Sequence, residues 1–146
     1  MVSSKRLLAV LAACVFGTGL AGASQAALYG PFTDSIGLSA TGWSSTVSVP
    51  KFDPSLGTLN SIKLTLAGHV EGTAKFESLD ADPATVTMSL SASLTLQRPD
   101  LSTLVVTIPV ANTTDNVTAW DLVTDFGGTS GKTYTNLLAD SSNSVT

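Results

Sequence analysis

The chain has 146 residues, of which 43% are hydrophobic and 12% carry a charge, and its formal net charge is −4. This length allows one domain with a real core, and the acidic balance argues against nucleic acid and anionic lipid surfaces as partners. The single cysteine, Cys14, excludes an internal disulfide and a zinc site built from several cysteines.

The first 26 residues have the features of a secretory signal peptide. Lys5 and Arg6 form a short basic region, and residues 7–22 form an apolar run without charge. This run is shorter than the roughly 20 residues that a membrane-spanning helix needs. We therefore expect a helical signal peptide rather than a permanent membrane span.

The expected cleavage point defines the domain organisation. Ser24 and Ala26 place small residues where signal peptidase reads them, so we expect a cut before Ala27. The predicted signal peptide is 1–26 and the predicted β domain is 27–146. Five basic and eleven acidic residues would remain after the cut. The predicted localisation is secreted, extracellular or at the cell surface.

An alternative processing site lies inside the apolar run. Leu-Ala-Ala-Cys at residues 11–14 matches the pattern at which bacterial lipoproteins are cut and acylated. Cleavage before Cys14 and its lipidation therefore stay an open alternative. The residues after Cys14 remain apolar, which favours a small h-region residue instead.

Before residue 80, the chain reads as short strands and one connector. A first edge strand is expected at Ala27–Thr33, interrupted by Gly-Pro, and a second strand at Trp43–Val49. Residues 50–57 carry two prolines and a glycine and predict a turn, with Phe52 and Leu56 as core candidates.

Alternation then resumes in the next predicted strand, Leu59–Val70, and continues as far as Leu79. Gly68 and Gly72 predict a bulge or bend within this strand. A turn at residues 80–83 follows it.

The clearest signal in the chain is the segment Thr85–Gln97, which alternates apolar and polar residues throughout. A period of two is typical of a strand with one buried and one solvated face. The predicted wet face carries hydroxyl groups and one amide, without charge. We expect the even-numbered residues to be buried and the odd-numbered ones to be exposed.

The last third of the chain gives weaker patterns. Residues 104–110 predict a strand buried on both sides, with Pro109 placing its end at a sheet edge or a bulge, and residues 111–116 predict a polar loop. Residues 117–126 are ambiguous between a strand and a short helical turn, with the strand favoured, and residues 141–146 show no pattern. Short strands separated by turns predict an all-β protein, an antiparallel β-sandwich of jelly-roll type.

One stretch resembles a known family. Residues 49–66, with Pro-Lys-Phe-Asp-Pro-Ser-Leu-Gly-Thr-Leu running into an alternating strand, resemble the opening motif of the bacterial choice-of-anchor E domain. Residues 125–131 are similar to its later glycine-rich segment, and the resemblance covers most of residues 29–146. It implies an exported surface domain, often followed by a Pro-Glu-Pro sorting signal, one membrane helix and a basic tail. It implies no biochemical activity.

The end of the chain departs from this family pattern. Members continue into further strands and an anchor, whereas this chain stops at Thr146. We therefore expect a truncated chain, rather than an unanchored variant, and a sandwich that is incomplete at its C-terminus. Such a sandwich would have an open sheet edge.

Few residues suggest chemistry. His69 is the only histidine, and a catalytic triad would need it beside a serine and an acid. The chain has no Gly-x-Ser-x-Gly elbow. We therefore expect a surface strand histidine and no catalytic residue.

Two pairs of aspartates offer oxygen ligands. These are Asp80 with Asp82 and Asp121 with Asp125. Two carboxylates fall well short of the six to eight oxygens that calcium takes. Calcium binding stays open at either pair, but we predict no metal site and no cofactor.

Four aromatic residues could form a sugar-stacking platform: Tyr29, Trp43, Trp120 and Tyr134. Their scattered spacing favours packing in a β core instead.

The sequence as a whole predicts an exported, non-enzymatic β-sandwich protein of the cell surface or extracellular matrix. Its expected partners are cell-envelope or matrix polysaccharide or protein, with membrane contact only through an anchor. The alternatives are a secreted carbohydrate-binding module, a secreted hydrolase that uses Asp or Glu, and a fibre subunit that uses an open sheet edge.

Overall fold

The computed structural model describes the backbone of residues 5–18 and 27–146, with side chains from residue 28 onward. Its elements are strands β1 (Lys5–Thr18), β2 (Ala27–Tyr29), β3 (Thr33–Ala40), β4 (Leu59–Glu77), β5 (Ala84–Ser91), β6 (Leu94–Gln97), β7 (Thr103–Thr107), β8 (Val110–Val117) and β9 (Gly131–Val145), and a 3-10 turn at Pro54–Leu56. Within these described ranges, no helix has the length and apolar character needed to cross a membrane. The prediction of a mostly antiparallel β protein is confirmed.

A five-stranded antiparallel sheet forms one side of the molecule. Strand β4 pairs with β1 along one edge and with β9 along the other. The far edge of β1 pairs with both β2 and β3. Strand β1 therefore has hydrogen-bonded neighbours on both of its edges.

The burial of side chains along β4 follows the alternation in its sequence. Leu66, Gly68 and Val70 are buried, whereas their neighbours Ala67 and His69 are partly exposed. The pairing with β9 shifts register between Gly72 and Ala74. The predicted bulge or bend in this strand is thus confirmed near its second glycine.

Two small sheets, β5–β8 and β6–β7, supply the other half of the core. The buried cluster joins residues of β4 and β9 to residues of β5, β6 and β7: Leu66, Val70, Leu137, Leu90, Leu94 and Val105. The approach is close at Gly68, where an added Cβ would lie 2.7 Å from Leu94 Cδ1. A side chain at this position would require the Leu94 methyl groups to move away.

The alternation predicted for Thr85–Gln97 is confirmed at every position. All even-numbered residues from 86 to 96 are buried or half-buried, and all odd-numbered residues are exposed. The segment nevertheless forms two strands, because β5 ends at Ser91 and β6 begins at Leu94. Each part has a different pairing partner.

The prediction of a helix in the leader is wrong, because residues 5–18 form strand β1. An uncharged apolar run suits a strand with neighbours on both edges as well as it suits a signal helix, and composition does not separate the two. The expected cleavage site at residues 24–26 lies outside the described residues. Cleavage before Ala27 and the lipidation of Cys14 stay predictions.

Three local predictions are wrong. Residues 43–49 contain no strand, residues 111–116 lie within β8 rather than in a loop, and residues 118–126 form a loop rather than a strand. Residues 141–145, which show no pattern in the sequence, belong to β9. The polar strands are held by pairing with β5 and β4, which no local pattern reports. The strand predicted at residues 104–110 ends at Thr107, and Ile108 and Val110 are exposed.

The predicted turn at residues 50–57 is confirmed. Asp53 Oδ1 accepts a hydrogen bond of 2.9 Å from Ser55 N, and Gly57 has a φ of 128°. Phe52 is half-buried and packs edge-on against Tyr29, with 6.1 Å between the ring centroids. Leu56 is 47% exposed, so its prediction as a core residue is wrong.

Candidate functional site

A cavity of about 820 Å³ lies between two segments of chain. One wall is residues 41–47, which follow β3, and the other is residues 91–101, which run from the end of β5 through β6 into the next turn. Ile36 and Leu66 also line it, and both belong to the packed interior. The volume is within the range of small-molecule binding sites.

The lining of the cavity is rich in neutral polar groups. It contains seven hydroxyl side chains, which are Thr41, Ser44, Ser45, Thr46, Ser91, Ser93 and Thr95. Gln97 adds an amide, and Arg98 adds a single positive charge. The lining residues include no carboxylate. The arrangement can donate and accept many hydrogen bonds.

The first wall is tied to β3 by a carboxylate. Asp34 Oδ2 accepts a hydrogen bond of 2.7 Å from Ser48 N, and Asp34 Oδ1 accepts one of 2.8 Å from Ser35 N. These hydrogen bonds, the one from Ser48 first, hold the pKa of Asp34 below its usual value. The non-strand segment 41–49 is thus fixed at its far end.

The second wall ends in a compact turn. Asp100 Oδ1 accepts hydrogen bonds from the hydroxyl (2.6 Å) and the backbone N (2.9 Å) of Ser102, and these lower the pKa of Asp100. Arg98 donates to the same Ser102 hydroxyl at 3.1 Å. Leu101, at the tip, has a φ of 67° and is 74% exposed. These contacts hold Arg98 beside a carboxylate, which offsets its charge.

Trp43 is the aromatic residue of the cavity. Its ring is half-buried, packs partly against the core cluster and also lines the cavity. Its Nε1 is buried without a hydrogen-bond partner among the described residues. An unsatisfied buried donor costs about 1–3 kcal/mol, so this indole is held in place by packing and not by its polar group.

The four predicted aromatics do not form one platform. Tyr29 packs against Phe32 with 5.1 Å between ring centroids, and Tyr134 lies against the core with Lys132 Nζ 5.1 Å from its ring centroid. Trp120 is 36% exposed and donates from Nε1 to the carbonyl of Val123 in the loop after β8. Of the four, only Trp43 lines the cavity.

His69 lies between two carboxylates. Its Nδ1 is 2.7 Å from Asp140 Oδ1 on β9, and its Nε2 is 4.0 Å from Glu71 Oε2 on β4. In a catalytic triad the second ring nitrogen faces a nucleophilic hydroxyl instead of an acid. The partial exposure of His69 agrees with the predicted surface strand histidine.

The predicted aspartate pairs cap their own loops. Asp80 Oδ1 accepts a 3.3 Å hydrogen bond from Asp82 N, Asp121 Oδ1 accepts one of 3.0 Å from Val123 N, and Asp125 Oδ1 accepts one of 2.8 Å from a loop amide. In the part of the chain with described side chains, no group of three or more His, Cys, Asp or Glu could hold a metal ion. The absence of a metal site at either pair stays a prediction.

Sequence reasoning missed Glu77, which organises the glycine-rich loop. Its carboxylate accepts hydrogen bonds of 2.7 Å from Phe126 N and 2.6 Å from the hydroxyl of Ser130, which is fully buried. Lys75 Nζ lies 3.9 Å from the centroid of the Phe126 ring. These contacts hold the loop against the end of β4. The sequence did not reveal this structural role, because Glu77 lies far from the loop along the chain.

Comparison of the chain with protein-family models, with curated proteins and with solved structures finds no match. The resemblance to the choice-of-anchor E domain therefore rests on the residues that carry it.

Proposed function

We propose that this chain is an exported, non-enzymatic β-sandwich protein of the cell surface or extracellular matrix. The observation that carries the proposal is a β surface rich in uncharged hydroxyl groups. In the sequence, it follows an N-terminal apolar segment with the features of an export signal. Side chains pair across the outer faces as Thr85–Asn116 at 2.8 Å, Thr87–Thr114 at 3.2 Å and Thr65–Ser144 at 2.8 Å. Such pairs keep a sheet face wetted without charge.

A non-enzymatic role is supported by the surroundings of the titratable groups. His69 has carboxylates near both ring nitrogens, and the aspartates of the predicted pairs accept hydrogen bonds from their own loops. The resemblance to the choice-of-anchor E domain supports the same proposal, because that family is defined by export and anchoring. In this proposal the exported sandwich, which lacks β1 after cleavage, keeps β4 and β9 packed on the β5–β8 and β6–β7 pairs.

Export is tested with the full chain expressed in a bacterium with its own leader. The expected result is a product outside the cytoplasm whose intact mass corresponds to residues 27–146. An Ala26→Phe variant should keep the leader, because signal peptidase needs a small residue there. A cytoplasmic product that retains residues 1–26 would contradict the proposal, and an acylated product that begins at Cys14 would select the lipoprotein route.

A fibre subunit is the second candidate function, and the position of β1 favours it. Strand β1 contacts β4 from Leu59 to Gly72 along one edge and β2 and β3 along the other. Removal of the leader would free the backbone groups of β4 on this edge. A free strand edge is a template for pairing with a strand from another chain.

The fibre candidate is tested with the exported, processed protein over a range of concentrations. Polymer seen by electron microscopy, growing with concentration, would support it. A synthetic peptide of residues 5–18 should then stop growth by occupying the free edge, and a peptide of the same composition in scrambled order should not. A monodisperse monomer at all concentrations would rule this candidate out.

A further inference from the structure

We infer that the cavity between residues 41–47 and 91–101 binds a neutral oligosaccharide, with Trp43 as its stacking residue. This function goes beyond export and surface placement. The lining residues all fall between 36 and 101, but β3, which leads into the first wall, pairs with β1, so binding is measured on the full chain with its leader in place.

The lining chemistry selects the class of ligand. A sugar offers apolar C–H faces and a ring of hydroxyl groups, and it needs an aromatic surface together with many neutral hydrogen-bond partners. The cavity provides an indole, seven hydroxyl groups and one amide, together with aliphatic side chains such as Leu94 and Leu96. A lipid chain would leave these hydroxyl groups without partners once water was displaced.

The charge of the cavity favours a neutral glycan over an acidic one. Arg98 is the only charged side chain in the lining, and its guanidinium donates to Ser102 beside Asp100. A single cation already placed near a carboxylate is a weak site for an anion. A site for a uronate or sulfated sugar would present several unpaired basic groups.

The walls are prepared for binding before a ligand arrives. Asp34 anchors the segment after Trp43 through Ser48, and Asp100 fixes the turn after Arg98 through Ser102. Fixed walls reduce the ordering cost of binding. Ser91, Ser93 and Thr95 are exposed lining residues that alternate with inward residues across the junction of β5 and β6, and they offer successive hydroxyl groups to a sugar chain.

The chain offers its own reporter for the test, since Trp43 and Trp120 are its only tryptophans. A Trp120→Phe variant leaves the cavity indole as the only tryptophan emitter. We would titrate it with hexasaccharides of glucose (β-1,4 and α-1,4), xylose and N-acetylglucosamine, and with an anionic alginate oligosaccharide. The expected result is a saturable fluorescence change with at least one neutral glycan and a matching calorimetric affinity.

A matched pair of serine variants separates the cavity from the rest of the strand face. Ser93 lines the cavity and Ser89 does not, and both are exposed on the same side of the β5–β6 segment. We expect Ser93→Phe, which fills the cavity, to weaken binding by about tenfold or more. Ser89→Phe should leave the affinity unchanged.

Substitution of the stacking residue gives the largest expected loss. Trp43→Ala should weaken binding by about a hundredfold, and Gln97→Ala by a few fold, measured by calorimetry in each case. Because Trp43 also packs against the core, circular dichroism must show the wild-type β spectrum. If Trp43→Ala does not fold, the exposed Ser93 and Gln97 variants decide the question.

Three results would overturn the inference. They are no binding to any neutral glycan of the panel, binding to the anionic glycan alone, and neutral-glycan binding that survives Ser93→Phe and Gln97→Ala unchanged. None of them bears on export, which is measured separately by intact mass and cell fractionation.

Discussion

Strands β5 and β8 pair over eight residues in the same small sheet, yet their sequences differ greatly. The inward positions of β5 are Val86, Met88 and Leu90, which are half-buried or buried. Those of β8 include Thr113 and Asp115, which are half-buried as well. The sequence of β5 therefore shows a hydrophobic alternation, whereas the sequence of β8 resembles that of a polar loop.

The difference shows what drives each strand into place. Burial of apolar side chains fixes the register of β5, because a slip of one residue would expose its whole apolar set. Strand β8 takes its register from β5 through the backbone ladder, helped by outward pairs such as Thr85–Asn116. A strand beside a strongly patterned neighbour can therefore do without a pattern of its own.

Among the variants that test this comparison, Leu90→Ala should have the largest effect on stability. Leu90 is 4% exposed in the core cluster, and its truncation should lower the free energy of unfolding by about 3 kcal/mol. Urea denaturation measures the change. The control is Ser89→Ala on the exposed face, which should stay within about 0.5 kcal/mol of the wild type. Equal effects of the two would refute the inward orientation of Leu90.

Asp115→Ala should have the next largest effect. This inward carboxylate of β8 forms an ion pair with Lys132 Nζ on β9, and its side chain is 18% exposed. Its loss should lower the free energy of unfolding by about 1 kcal/mol, less in high salt. A double-mutant cycle with Lys132→Met isolates the pair. A coupling energy of zero would show that the pair does not hold β8 onto β9.

Thr113→Val should stabilise the protein, although it is a substitution in a strand core. The Thr113 hydroxyl is buried without a hydrogen-bond partner among the described residues, and replacing it with a methyl group removes that cost, about 1 kcal/mol. Thr114→Val is the control, because its hydroxyl lies 3.2 Å from that of Thr87 and it should be neutral or slightly destabilising. A raised melting temperature for Thr114→Val alone would reverse the assignment of the two faces.

The smallest expected effect is at Asp34, and it is tested through the pH dependence of stability. It is a polar residue between the exposed Thr33 and Ser35 in β3, and its pKa is lowered by hydrogen bonds from Ser48 N and Ser35 N. A lowered folded-state pKa means that the stabilisation is present above the unfolded value of about 3.8 and is lost as the pH falls through the folded pKa. The stability gap between the wild type and Asp34→Asn should therefore close in acid. A gap that does not vary with pH would contradict this.

The sequence predicted the elements whose own side chains carry the pattern. The alternation of Thr85–Gln97, the bulge in β4 and the turn at residues 50–57 were predicted from local patterns, and all three are confirmed. Prediction from the sequence failed for the strands whose position depends on pairing with a neighbour, which are β8 and the end of β9. For the candidate site, the outward hydroxyls of residues 91–97 were predicted, but the wall of residues 41–47 that faces them was not.

By itself, the sequence determined a β protein with low charge, an apolar N-terminal run and solvated hydroxyl faces, because side-chain burial has a period that can be read along the chain. Only the tertiary structure decided which strands pair, that residues 5–18 form β1, and that Trp43 lines a cavity next to Gln97. These depend on contacts between residues far apart in sequence. Backbone hydrogen bonding, which is the same for every residue type except proline, leaves no trace of such pairing in the order of side chains.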